Sequence, residues 1–199
     1  MLLEVLEEAR ACTICTDSLP LGPRPILAAS SSSRIVIVGQ APGTKVHASG
    51  VPWDDDSGRR LREWLQIDDA VFYDSERVAL LPMGFCYPGR KGSGDAPPRP
   101  ECAPTWHERV LSGLDSPRLV LLVGQYAQAH YLRSARQRTL TETVRLGEQY
   151  GALRFPLPHP AWRVRGWMKK NPWFETDVLP RLRTAVTEAL DLQDPSPAT

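Results

Sequence analysis

The sequence has almost no charge imbalance: 24 Lys and Arg stand against 23 Asp and Glu, a net charge of +1 over 199 residues. That excludes a polycation, so any nucleic-acid surface has to come from basic residues clustered locally. A basic N-terminal region is also missing. The opening M-L-L-E-V-L-E-E-A-R carries three glutamates instead, and no secretory signal is expected. No apolar run approaches membrane-spanning length, so no membrane partner is expected and the protein is read as cytoplasmic. No internal repeat is visible, which excludes repeat architectures. Cysteine is scarce, four in all, and a cytosolic chain does not normally hold structural disulfides. The length suits one domain with one sizeable core, residues 1–190, followed by a frayed tail at 191–199.

What the chain has in plenty is proline, 19 residues concentrated at 82–104 and 156–180. Long Pro-rich loops in a compact domain are usually functional or anchored. Between them run short apolar segments. Ile35–Val38 is β-branched throughout and bounded by Ser and Gly, the pattern of a strand covered on both faces. Further strands are expected at Arg77–Leu81, Leu119–Val123 and Arg154–Leu157. Helical spacing appears in Leu2, Val5, Leu6 and Ala9, in Leu61, Trp64 and Leu65, and in Trp106, Val110, Leu111 and Leu114. It recurs over Tyr126–Arg133 and in Val178, Leu182 and Val186. Alternating strands and helices argue for an α/β fold, a parallel sheet with helices on both faces. Four loops would then gather at one sheet edge, bringing Gln40, Asp54 to Asp56, Gln125 and His159 together, where open α/β sheets bind ligands. The first of these loops, Gly39-Gln-Ala-Pro-Gly43, lets backbone N–H groups approach a ligand closely.

The cysteines form two pairs, Cys12-x2-Cys15 and Cys86-x15-Cys102, each in a Gly- or Pro-rich loop. Such pairs suggest soft-metal ligation. Four thiolates suit either tetrahedral zinc or a 4Fe–4S cluster, and the spacing does not choose between them.

Taken together, these motifs resemble the uracil-DNA glycosylase superfamily, and most of all its iron–sulfur families four and five. The first family motif is a strand followed by G-x-x-P-G, matched by Gly39 to Gly43. The paired cysteines are matched by Cys12, Cys15, Cys86 and Cys102, the wide pair flanking a Pro-rich loop. A G-x-P-aromatic element is matched by Gly50, Pro52 and Trp53, and the closing His-Pro by His159 and Pro160. The resemblance covers roughly residues 1–180 and implies a three-layer α/β/α sandwich with a four-stranded parallel central sheet. It also implies a monofunctional DNA glycosylase of base-excision repair, a 4Fe–4S cofactor and, as partner, DNA containing a damaged base. The protein is expected to act as a monomer. Two departures stand out. Family four carries an acid where this chain has Gln40, and a uracil-reading asparagine where it has Pro82. Asp55-Asp-Ser-Gly58 resembles the G-D-A-S-G element of family five, whose aspartate positions water, one residue closer to the aromatic.

Cleaving an N-glycosidic bond requires tolerance of positive charge on the sugar, stabilisation of the leaving base as an anion, and an aimed water. Asp55 is the candidate for the first and third tasks, with Asp54, Asp56 and Gln40 behind it. Asp56 or Ser57 is expected to cap the following helix, leaving Asp55 free. His159 is the candidate donor to the base oxygen. Gly39, Ala41, Pro42, Gly43, Trp53 and Pro82 are read as the base pocket, with Trp53 stacking on the flipped ring. In the tail of the closing motif, Arg163, Arg165, Lys169 and Lys170 are interleaved with Trp162 and Trp167. That mixture suits phosphate contact plus a wedge into the stack, with Trp162 as wedge and Trp167 and Trp173 as core. The excised base is read as uracil or another deaminated base. Hypoxanthine or xanthine, a non-catalytic binder of damaged or abasic DNA, and a small redox protein are the competing readings.

Overall fold

Ile35–Val38 (β1) is buried at every residue, as a strand with no polar side chain must be. A computed structural model describes residues 1–115 and 118–191. The chain opens with α1 (Leu2–Arg10), followed by β1, α2 (Thr44–Ser49), α3 (Asp56–Leu65) and α4 (Asp69–Phe72). Then come β2 (Val78–Leu80) and a small hairpin of β3 (Arg90–Lys91) and β4 (Gly94–Asp95). The second half holds α5 (Cys102–Leu111), β5 (Leu119–Val123), α6 (Gln125–Leu132), α7 (Leu140–Arg145), β6 (Arg154–Leu157), α8 (Val164–Lys170) and α9 (Leu179–Asp191).

The main sheet has four strands in the order β2-β1-β5-β6, and every pairing in it is parallel. Side chains of alternate residues point to opposite faces. Ile35, Ile37, Leu119 and Leu121 therefore pack with Leu61, Trp64 and Leu65 of α3 and Leu182 and Val186 of α9. Val36, Val38 and Leu122 pack with Leu6 of α1, Trp106 and Val110 of α5 and Ala127 of α6. The result is a three-layer α/β/α sandwich, as expected.

The differences from expectation are local. The second strand is shorter than Arg77–Leu81. Cys102 begins α5 rather than lying in a loop. Asp191 closes α9, so it is not part of a tail, and residues 192–199 lie outside the described residues. Among the described residues no helix is long and apolar enough to cross a membrane.

Candidate active site

All four strands run the same way, so the loops leaving their carboxyl ends gather at one edge. A cleft of about 480 Å³ opens there. From the loop after β1 it is lined by Gly39, Gln40, Ala41, Pro42 and Gly43. Trp53 and Asp55 come from the loop before α3, Pro82 from the end of β2, and His159, Trp162 and Arg163 from the segment after β6. The expected convergence therefore holds for three of the four loops. Asp54, Asp56 and Gln125 are not among the lining residues. Asp56 instead faces the surface, paired with Lys45 at 3.7 Å and Arg59 at 3.2 Å.

Asp55, not Asp56 or Ser57, caps α3. Its backbone is extended, and its Oδ1 accepts the Gly58 N–H at 2.8 Å. The cap uses one carboxylate oxygen and leaves the other for the cleft. The approach to the cap is tight. Trp53 takes the left-handed conformation at φ 58°, and a Cβ on Gly58 would stand 1.8 Å from the Trp53 carbonyl oxygen. Only glycine fits at 58.

Trp53 is 9% exposed. Its ring lies against the first motif, where a Cβ on Gly39 would meet it at 2.6 Å, and it stacks on His159 at 5.8 Å between centroids. His159 is partly buried. Desolvation lowers its pKa, with the charge of Asp55 opposing, so the imidazole is neutral near pH 7 and retains one N–H to donate. Two hydrogen bonds hold its segment in place. Arg60 of α3 donates to the Pro160 carbonyl at 2.6 Å. The buried Gln128 amide donates to the Leu157 carbonyl at 2.9 Å. Gly124, at φ 89°, lies beside the histidine side chain.

Gln40 directs its amide nitrogen to the Ala96 carbonyl at 3.3 Å. This links the first motif to the β3–β4 hairpin, which sequence reasoning left as undivided loop. The hairpin brings Arg90, Ser93, Gly94 and Asp95 to the cleft. The overlooked signal is Gly92-Ser93, a two-residue turn with Gly92 at φ 61°, the geometry that short hairpins favour. Asp95 is exposed at the cleft mouth, and partial desolvation by the cleft wall raises its carboxyl above its usual range; Arg90 opposes this and the charge of Asp55 adds to it.

A second overlooked residue lies behind Pro82. His107 is buried, with Nε2 3.0 Å from the Pro82 carbonyl and Nδ1 2.6 Å from the Tyr131 hydroxyl. A carbonyl only accepts, so Nε2 carries the proton and Nδ1 takes the hydroxyl hydrogen. Burial pushes this histidine down to about 4, consistent with the neutral tautomer. A lone histidine on an amphipathic helix gives no sequence signal of a partner on another helix.

At the rim Trp162 is 73% exposed. Arg163 lies over its ring at 5.0 Å and donates to Ser93 Oγ at 2.9 Å. Arg165, Lys169 and Lys170 are exposed on α8. Trp167 and Trp173 pack edge-on against each other beside Phe174, partly buried against the core.

The four cysteines form no disulfide and are partly buried, and all of them line one small apolar pocket with Leu19, Pro25, Phe85 and Trp106. Desolvation, with a smaller contribution from the neighbouring cysteines, raises Cys15 and Cys86 and takes Cys102 to about 12; at Cys15 a hydrogen bond with Arg99 opposes it. Thiols gathered this way ionise readily only when a cation offsets the charge. The Phe85 N–H also points at the Cys102 sulfur from 3.3 Å, a contact of the kind that tunes cluster thiolates. By donor type, four thiols lining one pocket suit a soft metal group. Among the described residues no three His, Cys, Asp or Glu side chains stand in an arrangement that holds a metal ion.

An acid, an amide, a neutral histidine and a stacked ring at the carboxyl edge of a parallel sheet, beside a basic-aromatic rim, have the parts of a site that works on a nucleic-acid base. A model of the Uracil DNA glycosylase superfamily matches residues 27–183, and the chain belongs to that superfamily. Membership points to a DNA glycosylase, a hydrolase of DNA repair. The match begins after Cys12 and Cys15, so it speaks to the sandwich and the cleft rather than to the full cysteine set.

Proposed function

We propose that the protein is a monofunctional DNA glycosylase that hydrolyses the N-glycosidic bond of uracil or another deaminated base. The observation that carries this is the cleft that gathers Asp55, Trp53 and His159 under an exposed Trp162. A base inside a duplex is out of reach, so the nucleotide is flipped into the cleft at a cost of about a few kcal/mol. Trp162 fills the gap as a wedge, and Arg163, Arg165, Lys169 and Lys170 hold the phosphates. Trp53 packs against the flipped ring.

The uncapped oxygen of Asp55 orients the attacking water and offsets charge on the sugar. The N–H of His159 meets the base oxygen as negative charge develops there. Gln40 is the weaker candidate for aiming water, because its amide nitrogen is engaged by Ala96. Pro82 lines the cleft where family four carries its base-reading asparagine, and this favours hypoxanthine or xanthine as the second reading.

Cys12, Cys15, Cys86 and Cys102 are proposed to hold a 4Fe–4S cluster, with zinc as the alternative. A closed four-thiolate site supplies folding energy and no step of the hydrolysis. The protein is taken to work as a cytoplasmic monomer. A single-turnover assay on oligonucleotides carrying uracil, hypoxanthine or xanthine tests the activity. Cleavage of at least one is expected, and binding to abasic DNA with none cleaved would favour the damage-binding reading.

A further inference from the structure

Asp95 is a carboxylate that neither the cap of α3 nor the chemistry at the sugar uses. It ends β4, paired in register with Arg90, and Ala96 ties the same strand to Gly89 and Gln40. Its Oδ2 reaches the first motif, 3.3 Å from where a Cβ on Gly43 would lie. It therefore faces the G-x-x-P-G turn from across the cleft mouth. A carboxylate there is unfavourable for a polyanionic ligand, since the neighbouring lining cations, Arg90 and Arg163, are the groups a phosphate seeks. Something other than backbone binding must offset that cost, and the remaining ligand in the cleft is the base.

We propose that Asp95 is a specificity-determining residue that accepts a hydrogen bond from the ring N–H of the flipped base; this rests on the glycosylase reading above. Deamination turns the N3 lone pair of cytosine into the N3–H of uracil, and the N1 lone pair of adenine into the N1–H of hypoxanthine. A carboxylate accepts from the N–H and repels the lone pair, so one acid separates both damaged bases from their parents. Sites that hydrogen-bond a substrate N–H reject analogues lacking it far more strongly than apolar pockets reject a missing methylene. Pro82, which has no side-chain donor or acceptor, leaves the role open, and the hairpin brings Asp95 to the same cleft. Thymine carries the same N–H and must be excluded by shape.

The test is a cycle between protein and substrate on single-stranded oligonucleotides, which need no base pair. It uses uracil against N3-methyluracil, or hypoxanthine against N1-methylhypoxanthine, whichever parent lesion the wild type cleaves. The wild type should lose about 10- to 100-fold in single-turnover rate on the methylated base, the size of one charged hydrogen bond. Asp95→Ala should lose a similar factor on the unmethylated base and little more on methylation. Asp95→Asn, which keeps an acceptor oxygen, should recover most of the loss. If the methylation penalty stays whole in Asp95→Ala, the residue does not read the N–H and the inference falls while the glycosylase stands. If the wild type cleaves no lesion, both fall together.

Discussion

Asp55 caps α3 and is the proposed water-orienting acid, and single substitutions can separate the two roles. Asn caps a helix about as well as Asp, whereas Ala forfeits about 1 kcal/mol. Asp55→Asn should therefore keep the melting temperature while single-turnover cleavage falls by orders of magnitude. Asp55→Ala should lose both. His159→Ala should cost about 100- to 1,000-fold in rate, the usual cost of one preorganised donor, with substrate affinity largely spared. Full activity in Asp55→Asn alongside an inactive Gln40→Ala would transfer the water to the amide. His107 gives a prediction at acid pH. Its folded value of about 4 lies below the ordinary 6.5, so the unfolded chain binds the extra proton between those values. Stability is then complete above pH 6.5 and declines as pH falls towards 4, by at most about 3 kcal/mol from this group. Denaturant titrations from pH 7 to 4 should show the slope, and His107→Gln should flatten it relative to the wild type by the share that this histidine contributes.

At the scale of elements, the strands were the most legible part of the chain. Ile35–Val38, Leu119–Val123 and Arg154–Leu157 appear where the sequence placed them, the first two because a doubly covered strand admits little but apolar residues. The cap of α3 was not legible. Three consecutive aspartates offer equal side chains, and the choice of Asp55 follows from its extended backbone, which the left-handed Trp53 and the crowded Gly58 impose. The hairpin was hidden for another reason. Its four strand residues are polar or glycine and exposed, so no hydrophobic alternation marks them. Gly58→Ala should be among the most damaging single changes, since the 1.8 Å approach is to backbone and nothing flexible can yield. A loss of more than about 4 kcal/mol is expected, read as a collapse of the thermal midpoint. The turn between β6 and α8 carries the opposite kind of residue. Trp162→Ala should leave the fold intact and depress cleavage of duplex substrates more than of single strands, because only the duplex must be opened. Equal losses on both would remove the wedge role.

For the molecule as a whole, the cysteine pocket joins the segment after α1 to the loop leading into α5. Purified protein should be brown and contain about four irons per chain if a 4Fe–4S cluster is held. Colourless protein with stoichiometric zinc would overturn the iron and keep the ligands. Cys102→Ala should lower both metal content and thermal stability, since closed metal sites contribute folding energy directly. The order β2-β1-β5-β6 has a further consequence, for how the chain reaches this state. Ile35 must find Leu119, and Val78 must return to Ile35, before the central strand has both neighbours. Each search closes a long loop, entropy is spent before any pairing repays it, and so refolding should be slow and strongly dependent on topology. Until residues 119–123 emerge from the ribosome, one edge of β1 has no partner. Nascent chains halted before that point should remain protease-sensitive, and those that have passed 157 should become resistant.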